Sequence, residues 1–183
     1  MSSHRRVVTG HDGRGRSVVA SDGPPGNERG SLFELWATNA MPADNVDPTD
    51  AAAARDVILQ PDSNGTIFRF FEVAPEGQLP GVEDRRRRWE SQLAAMSADE
   101  RAAATAQRPD VSRHPAMHRT ATVDYVVLLR GEVTMLLDEG EVELKPFDVV
   151  VQRGTNHGWI NHGDETALLA GVLVDAVPAG SGS

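Results

Sequence analysis

The chain has 183 residues, a length suited to a single domain that buries its own core. Its 27 acidic and 18 basic side chains leave a net charge of −9, which argues against a surface that neutralises nucleic-acid phosphates or rests on an anionic membrane. There is no cysteine, which excludes disulfides, thiolate metal sites and cysteine nucleophiles, and aromatic residues are only 5%, so the core must be mainly aliphatic.

The N-terminus carries arginines but no apolar stretch of secretory-signal length, and the longest apolar run, near residues 167–174, is broken by Gly171. The expectation is a soluble, cytoplasmic protein, in which Asn64-Gly65-Thr66 is a turn rather than a glycosylation site. Short strands are predicted over residues 5–9, 16–21 and 32–37, separated by turn-forming clusters at 10–15 and 22–27. Residues 38–63 read as loop. Residues 66–73, Thr-Ile-Phe-Arg-Phe-Phe-Glu-Val, read as a strand ended by Pro75, Gly77 and Pro80.

Residues 82–108 change character, being charged, alanine-rich and almost free of β-branched side chains. Trp89, Leu93 and Met96 fall on one face of a helix over 84–96. Ser97 and Glu100 form a capping box that opens a second helix ending near 107. The arginine run Arg85–Arg88 is interleaved with Glu83, Asp84 and Glu90 and reads as a solvated helix face. From residue 120 onward the pattern is β: strands at 122–129, 132–137, 141–144, 148–152, 158–161 and 167–174, with Gly140 in a tight turn. Many short, closely spaced strands predict an all-β sandwich or barrel. The expected organisation is an N-terminal extension over 1–65, a barrel over 66–175 with a helical insertion at about 82–112, and a flexible tail over 176–183.

His118, Asp124 and His157 are the candidate chemical residues of the β region. Strand alternation puts His118, Thr120, Asp124 and Val126 on one face. Gly131 follows Asp124, and the stretch from Phe147 through Asp148, Gln152, Arg153 and Gly154 leads to His157 and Asn161. These spacings resemble the two motifs of the cupin superfamily. Thr120 stands where the family has its second histidine, Asp124 where it has glutamate, Phe147 where it has glycine and Gln152 where it has proline.

The resemblance implies a jelly-roll-type barrel holding one divalent transition metal, Fe(II) before Zn, Ni or Mn. It carries His118, Asp124 and His157 over as ligands, two imidazoles and a carboxylate with open positions. Asp124, a methylene shorter than glutamate, either ligates directly or holds a histidine from behind. Asp124 and Thr120 are also the candidate catalytic residues, as a base and as a group orienting water or substrate. His114 is a possible substitute ligand. Asn161 is expected to stabilise a turn, and His162, Arg119 and Arg153 to face solvent.

Arg69 sits in an apolar strand, where a buried guanidinium needs an anionic partner: Glu34, Glu72 or a ligand. Arg69, Trp159 and Tyr125 are the candidate substrate-binding residues. The functions implied are a non-haem Fe(II) dioxygenase acting on a small oxygenated or carboxylated molecule, or a metal-dependent lyase or isomerase working through enolisation. A non-catalytic barrel that binds a small molecule, and a barrel without metal, also fit the pattern. The insertion at 82–112 is either a lid over the barrel or a surface element packing outside it. The resemblance implies a homodimer paired through the extra N-terminal strands, and neither nucleic-acid nor membrane partners are expected.

Overall fold

The computed structural model describes residues 4–47 and 49–178; most of the tail expected over 176–183 lies outside the described residues. Strands β1 (Arg6–His11) and β2 (Ser17–Gly23) form a separate hairpin. Strands β3 (Asn27–Arg29), β4 (Leu32–Thr38) and β5 (Thr66–Val73) lead to two helices, α1 (Val82–Ala95) and α2 (Ala98–Gln107). Then come β6 (Thr122–Arg130), β7 (Val133–Leu137), β8 (Glu141–Leu144), β9 (Val149–Arg153), β10 (His157–Ile160) and β11 (Ala167–Asp175). The expected strands at 5–9, 16–21 and 32–37 are β1, β2 and β4. Strand β3 is an addition that starts at the last residue of the turn cluster over 22–27.

Two antiparallel sheets close on each other as an all-β jelly roll: a six-stranded sheet in the order β3-β4-β5-β11-β6-β9 and a three-stranded sheet in the order β10-β7-β8. The last strand, β11, lies between β5 and β6, so that Gly171 stands opposite both Arg69 and Val126, and Leu173 opposite Asp124. Strand β6 alternates as its sequence demands. Thr122, Asp124, Val126 and Leu128 point into the barrel and are buried.

The inward residues of neighbouring strands form an aliphatic core at one end, built from Val126, Leu128, Val133, Met135, Leu144 and Leu169. Gly131, at φ +81°, turns β6 into β7 there. A Cβ on it would lie 2.9 Å from the Ala167 Cα, so only glycine fits. A second cluster joins Ala37 of β4 to Ile67, Leu173 and Ala52. The N-terminal strands β3 and β4 thus extend the barrel sheet instead of sitting apart from it.

Helix α2 begins with the expected capping box: the Ser97 hydroxyl accepts from the Glu100 N–H, and the Glu100 carboxylate accepts from the Ser97 N–H. Neither helix contains a buried residue. Among the described residues, no helix is long and apolar enough to cross a membrane.

Candidate functional site

The backbone brings the two motif histidines together. His118 precedes β6 and His157 opens β10, and each N–H donates to the other's carbonyl, at 2.8 and 2.9 Å. Their ring centroids are 4.5 Å apart. Both rings line a cavity of about 180 Å³ together with Arg69, Thr120, Asp124 and Trp159. The expected parity of His118, Thr120, Asp124 and Val126 holds, although regular β6 starts only at Thr122.

Burial sets the charge states. Asp124 is 5% exposed, and its Oδ1 has no partner among the described residues. Desolvation pushes its carboxyl up to about 6, against the opposing pull of the Thr122 hydroxyl and the Arg69 guanidinium. Thr122 also meets Thr120, hydroxyl to hydroxyl, at 2.6 Å. Desolvation brings His157 down to about 4, helped by His118 and resisted by the Thr155 carbonyl. Burial likewise holds His118 below its ordinary value, against the Ala116 carbonyl and with Arg108 adding to the lowering. At neutral pH the cavity therefore holds two uncharged imidazoles and a carboxyl poised about one unit below.

Arg69 finds its partner in Glu34, not Glu72. The β4–β5 register sets the two side chains opposite each other, and Arg69 Nη2 donates to Glu34 Oε1 at 2.8 Å and to the Ile58 carbonyl at 2.6 Å. Glu34 Oε2 and Arg69 Nε have no hydrogen-bond partner among the described residues. Arg69 is thus both a buried ion pair and a cavity wall.

Trp159 lines the cavity, its ring 5.5 Å from that of His157. Tyr125, expected to touch substrate, does not: β6 alternation sends it to the outer face of the sheet, 52% exposed, on the side away from Asp124 and Val126. His114, the possible substitute ligand, also lies elsewhere. Its Nδ1 accepts from the Ala116 N–H, and its Nε2 sits 3.3 Å from Glu76, which pairs with Arg85 of α1. Asn161 clamps the loop after β10: its amide donates to the Val73 and Glu165 carbonyls and its oxygen accepts from the Gly163 N–H.

The helical insertion packs against the outside, and its C-terminal end reaches the site's rim. The Gln107 carbonyl accepts from the Arg119 N–H at 2.6 Å, and the Asn156 amide donates to the Asp110 carbonyl at 2.8 Å. Both ties grip residues adjoining the two cavity histidines.

Gln152 is the participant that the sequence marked only as a departure from the motif. It is 2% exposed and lies 2.7 Å from His157 Nδ1 through its Nε2. The signal that could have found it is a polar side chain on the inward parity of the apolar run Val149-Val150-Val151.

The donor set does not suit the ion that the motifs imply. Two imidazoles meet, but Thr120 offers a neutral hydroxyl where a third would stand. Among the described residues no three histidine, aspartate or glutamate side chains converge closely enough to hold a cation. Asp124 shares the cavity without completing a centre.

No family model matches the chain. It is similar to phomopsin biosynthesis cluster protein C' of Diaporthe leptostromiformis, 29% identical over 169 residues that cover 85% of this chain and 69% of the relative. It is also similar to the cupin-domain-containing oxidoreductase fogC of Aspergillus ruber, again at 29% identity, covering 85% of this chain and 63% of that protein. Among solved structures, a protein with a double-stranded β-helix domain from Klebsiella pneumoniae aligns over 85% of this chain and 84% of its own. That likeness has 13% identity and a TM-score of 0.41, and it carries no argument.

Proposed function

We propose that the barrel is a cupin-type enzyme site for a small oxygenated or carboxylated molecule, in keeping with the similarity to cupin-domain-containing oxidoreductases, and that the reaction there is proton transfer of the enolising kind used by isomerases and lyases. The supporting observation is the joint burial of two neutral imidazoles, a carboxyl raised to about 6 and a guanidinium around one cavity. The cavity's volume of about 180 Å³ equals roughly six liquid waters, which limits the substrate to a small molecule. Arg69 lines the cavity, and its Nε has no hydrogen-bond partner among the described residues, so the guanidinium would be the group that receives a substrate oxygen. Val126, Leu173 and Trp159 give the cavity an apolar wall, whose low polarity would strengthen each polar contact inside.

A second reading keeps oxygen chemistry. It is favoured by the similarity to the cupin-domain-containing oxidoreductase fogC. Cupin oxidoreductases generally bind a divalent metal. In this reading Fe(II), with Zn, Ni or Mn as rivals, would have His118 and His157 as its protein donors, with Asp124 nearby.

The two readings separate in one experiment. The purified protein is incubated in D₂O with a panel of small oxo-acids and hydroxyketones, with chelator and without oxygen, and proton NMR follows deuterium entering carbon. Exchange that persists under these conditions and disappears in His118→Ala is expected. Iron-dependent oxygen consumption without exchange would establish the second reading instead. Absence of both would leave a binding barrel and overturn the proposal.

A further inference from the structure

We propose that Gln152 is a positioning residue that makes the two cavity histidines chemically unlike, so that His157 presents an Nε2–H donor to the cavity and His118 a bare Nε2 acceptor. This rests on the proton-transfer reading for its catalytic meaning, but the assignment of the protons comes from hydrogen bonding alone.

The Gly154 backbone N–H can only donate, and the atom it meets at 2.7 Å is Gln152 Oε1. The Thr155 carbonyl can only accept, and it lies 2.8 Å from Gln152 Nε2. These two contacts fix the amide. Rotating it by half a turn would set N–H against N–H and oxygen against oxygen, losing two hydrogen bonds at a side chain 2% exposed. The remaining amide hydrogen points at His157 Nδ1, 2.7 Å away.

A neutral imidazole has one N–H. Facing a donor, Nδ1 must bring its lone pair, so the proton sits on Nε2. The Thr155 carbonyl lies 3.0 Å from the same Nδ1 and would accept a proton from it. That arrangement would force two donors, His157 Nδ1–H and Gln152 Nε2–H, to within 2.7 Å of each other.

His118 is built the other way. Its Nδ1 faces the Ala116 carbonyl at 3.0 Å, an acceptor only, so Nδ1 carries the proton and Nε2 keeps its lone pair. The rings look alike in sequence and present opposite functions to one cavity. For a substrate with a C–H bond next to a carbonyl, His118 Nε2 takes the proton. The C–H electron pair becomes the C=C bond of an enolate, and His157 Nε2–H hydrogen-bonds the oxygen on which charge develops. Return of the proton to carbon restores both rings, and no co-reactant is consumed.

The same geometry accounts for the poor fit to a cation, since a protonated Nε2 cannot ligate. Binding an ion would require His157 to change tautomer and give up its bond from Gln152.

Multiple-bond ¹⁵N–¹H NMR of the purified protein at neutral pH reads both tautomers directly. The expected result is Nε2–H for His157 and Nδ1–H for His118. Gln152→Met, close in volume, should move the His157 proton to Nδ1, where the Thr155 carbonyl accepts it. The variant should then bind Zn²⁺ at least tenfold more tightly than the parent. Gln152→Leu, which likewise removes the amide donor without adding a charge, should shift the tautomer the same way and serves if the methionine variant misfolds.

An Nδ1–H tautomer for His157 in the parent protein, or no change in either variant, overturns the assignment. So does a parent protein purified with a stoichiometric ion on both Nε2 atoms. Loss of the deuterium exchange described above, with the tautomers as stated, would instead sink the catalytic reading and leave the role of Gln152 standing.

Discussion

The two ends of the barrel are built from the same strands and obey different physics. On β6, Val126 and Leu128 point into an aliphatic core that also contains Met135, Leu144 and Leu169. Earlier in the same alternation, Thr122 and Asp124 point inward at the end where Asp124 shares a polar cavity with His118, His157 and Arg69. The closed end is stabilised by apolar area and tolerates any side chain of suitable shape. The open end buries charges and polar atoms that have no partner among the described residues: Asp124 Oδ1, Glu34 Oε2 and Arg69 Nε. Such atoms cost stability unless something else pairs with them, so the open end keeps a capacity for a polar ligand that the closed end lacks.

The largest expected effect comes from breaking the open end's ion pair. Glu34→Leu leaves the Arg69 guanidinium buried without its carboxylate, at a cost of about 3–5 kcal/mol. Adding Arg69→Met should restore most of that stability, because an apolar pair of similar volume needs no compensation. Urea denaturation of the single and double variants measures both. A single variant within about 1 kcal/mol of the parent, on the scale of ordinary surface substitutions, would mean that Arg69 does not depend on Glu34. If Arg69 also binds substrate, the double variant should fold and yet lose the deuterium exchange.

How far these two ends were legible in the sequence differs for physical reasons. The closed end was legible because a turn glycine and strict alternation declare themselves over short spans, as with Gly131 and the inward residues of β6. Parity alone puts His118, Thr120, Asp124 and Val126 on the cavity face. The same alternation turns Tyr125 outward, so the expectation that it touches substrate ran against the strand's own parity. Glu34 was one of two acids within reach of Arg69. The choice between it and Glu72 was made by the register of β4 on β5, a long-range pairing that local sequence does not encode. Gln152 was read as a missing proline because its role depends on backbone groups of Gly154 and Thr155, which become donor and acceptor in the right places only once the turn is folded.

Titration offers the next sharpest contrast. The Asp124 carboxyl ionises near ~3.9 in an unfolded chain and near about 6 in the fold. Between those values the folded state holds more protons than the unfolded one. The parent is therefore favoured on the acid side and loses stability as pH rises through 6, by up to about 3 kcal/mol. His157 runs in the opposite sense: its depressed value stabilises the fold above its ordinary range, and that contribution is lost as pH falls toward 4. Comparing parent with Asp124→Asn cancels the histidine. The variant should match the parent near pH 4 and exceed it by up to about 3 kcal/mol at pH 8, measured by urea denaturation across pH. A difference that does not change with pH would show that Asp124 is not held away from its ordinary ionisation, and the contrast with the closed end would lose its electrostatic half.

The smallest effect tests the closed end, where the cost is conformational. The turn from β8 into β9 places Phe147 at φ +75°, in the left-handed region, where a Cβ crowds the following carbonyl. Its N–H donates to the Leu128 carbonyl at 2.7 Å and the Leu128 N–H donates to the Asp148 carbonyl at 3.1 Å, so β6 holds the strained residue in place from both sides. The side chain is 79% exposed and adds little burial in return. Phe147→Gly removes the crowding, worth roughly 1–2 kcal/mol, and gives back about 0.5–1 kcal/mol through the freer unfolded chain. A net gain of about 1 kcal/mol or less is expected, with the deuterium exchange unchanged, because the turn is at the far end of β6 from Asp124. A loss of stability would show that the exposed ring makes a contact the fold depends on. Changed exchange kinetics would show that the two ends of β6 are coupled, so that strain relieved in the closed end is felt by the groups of the open one.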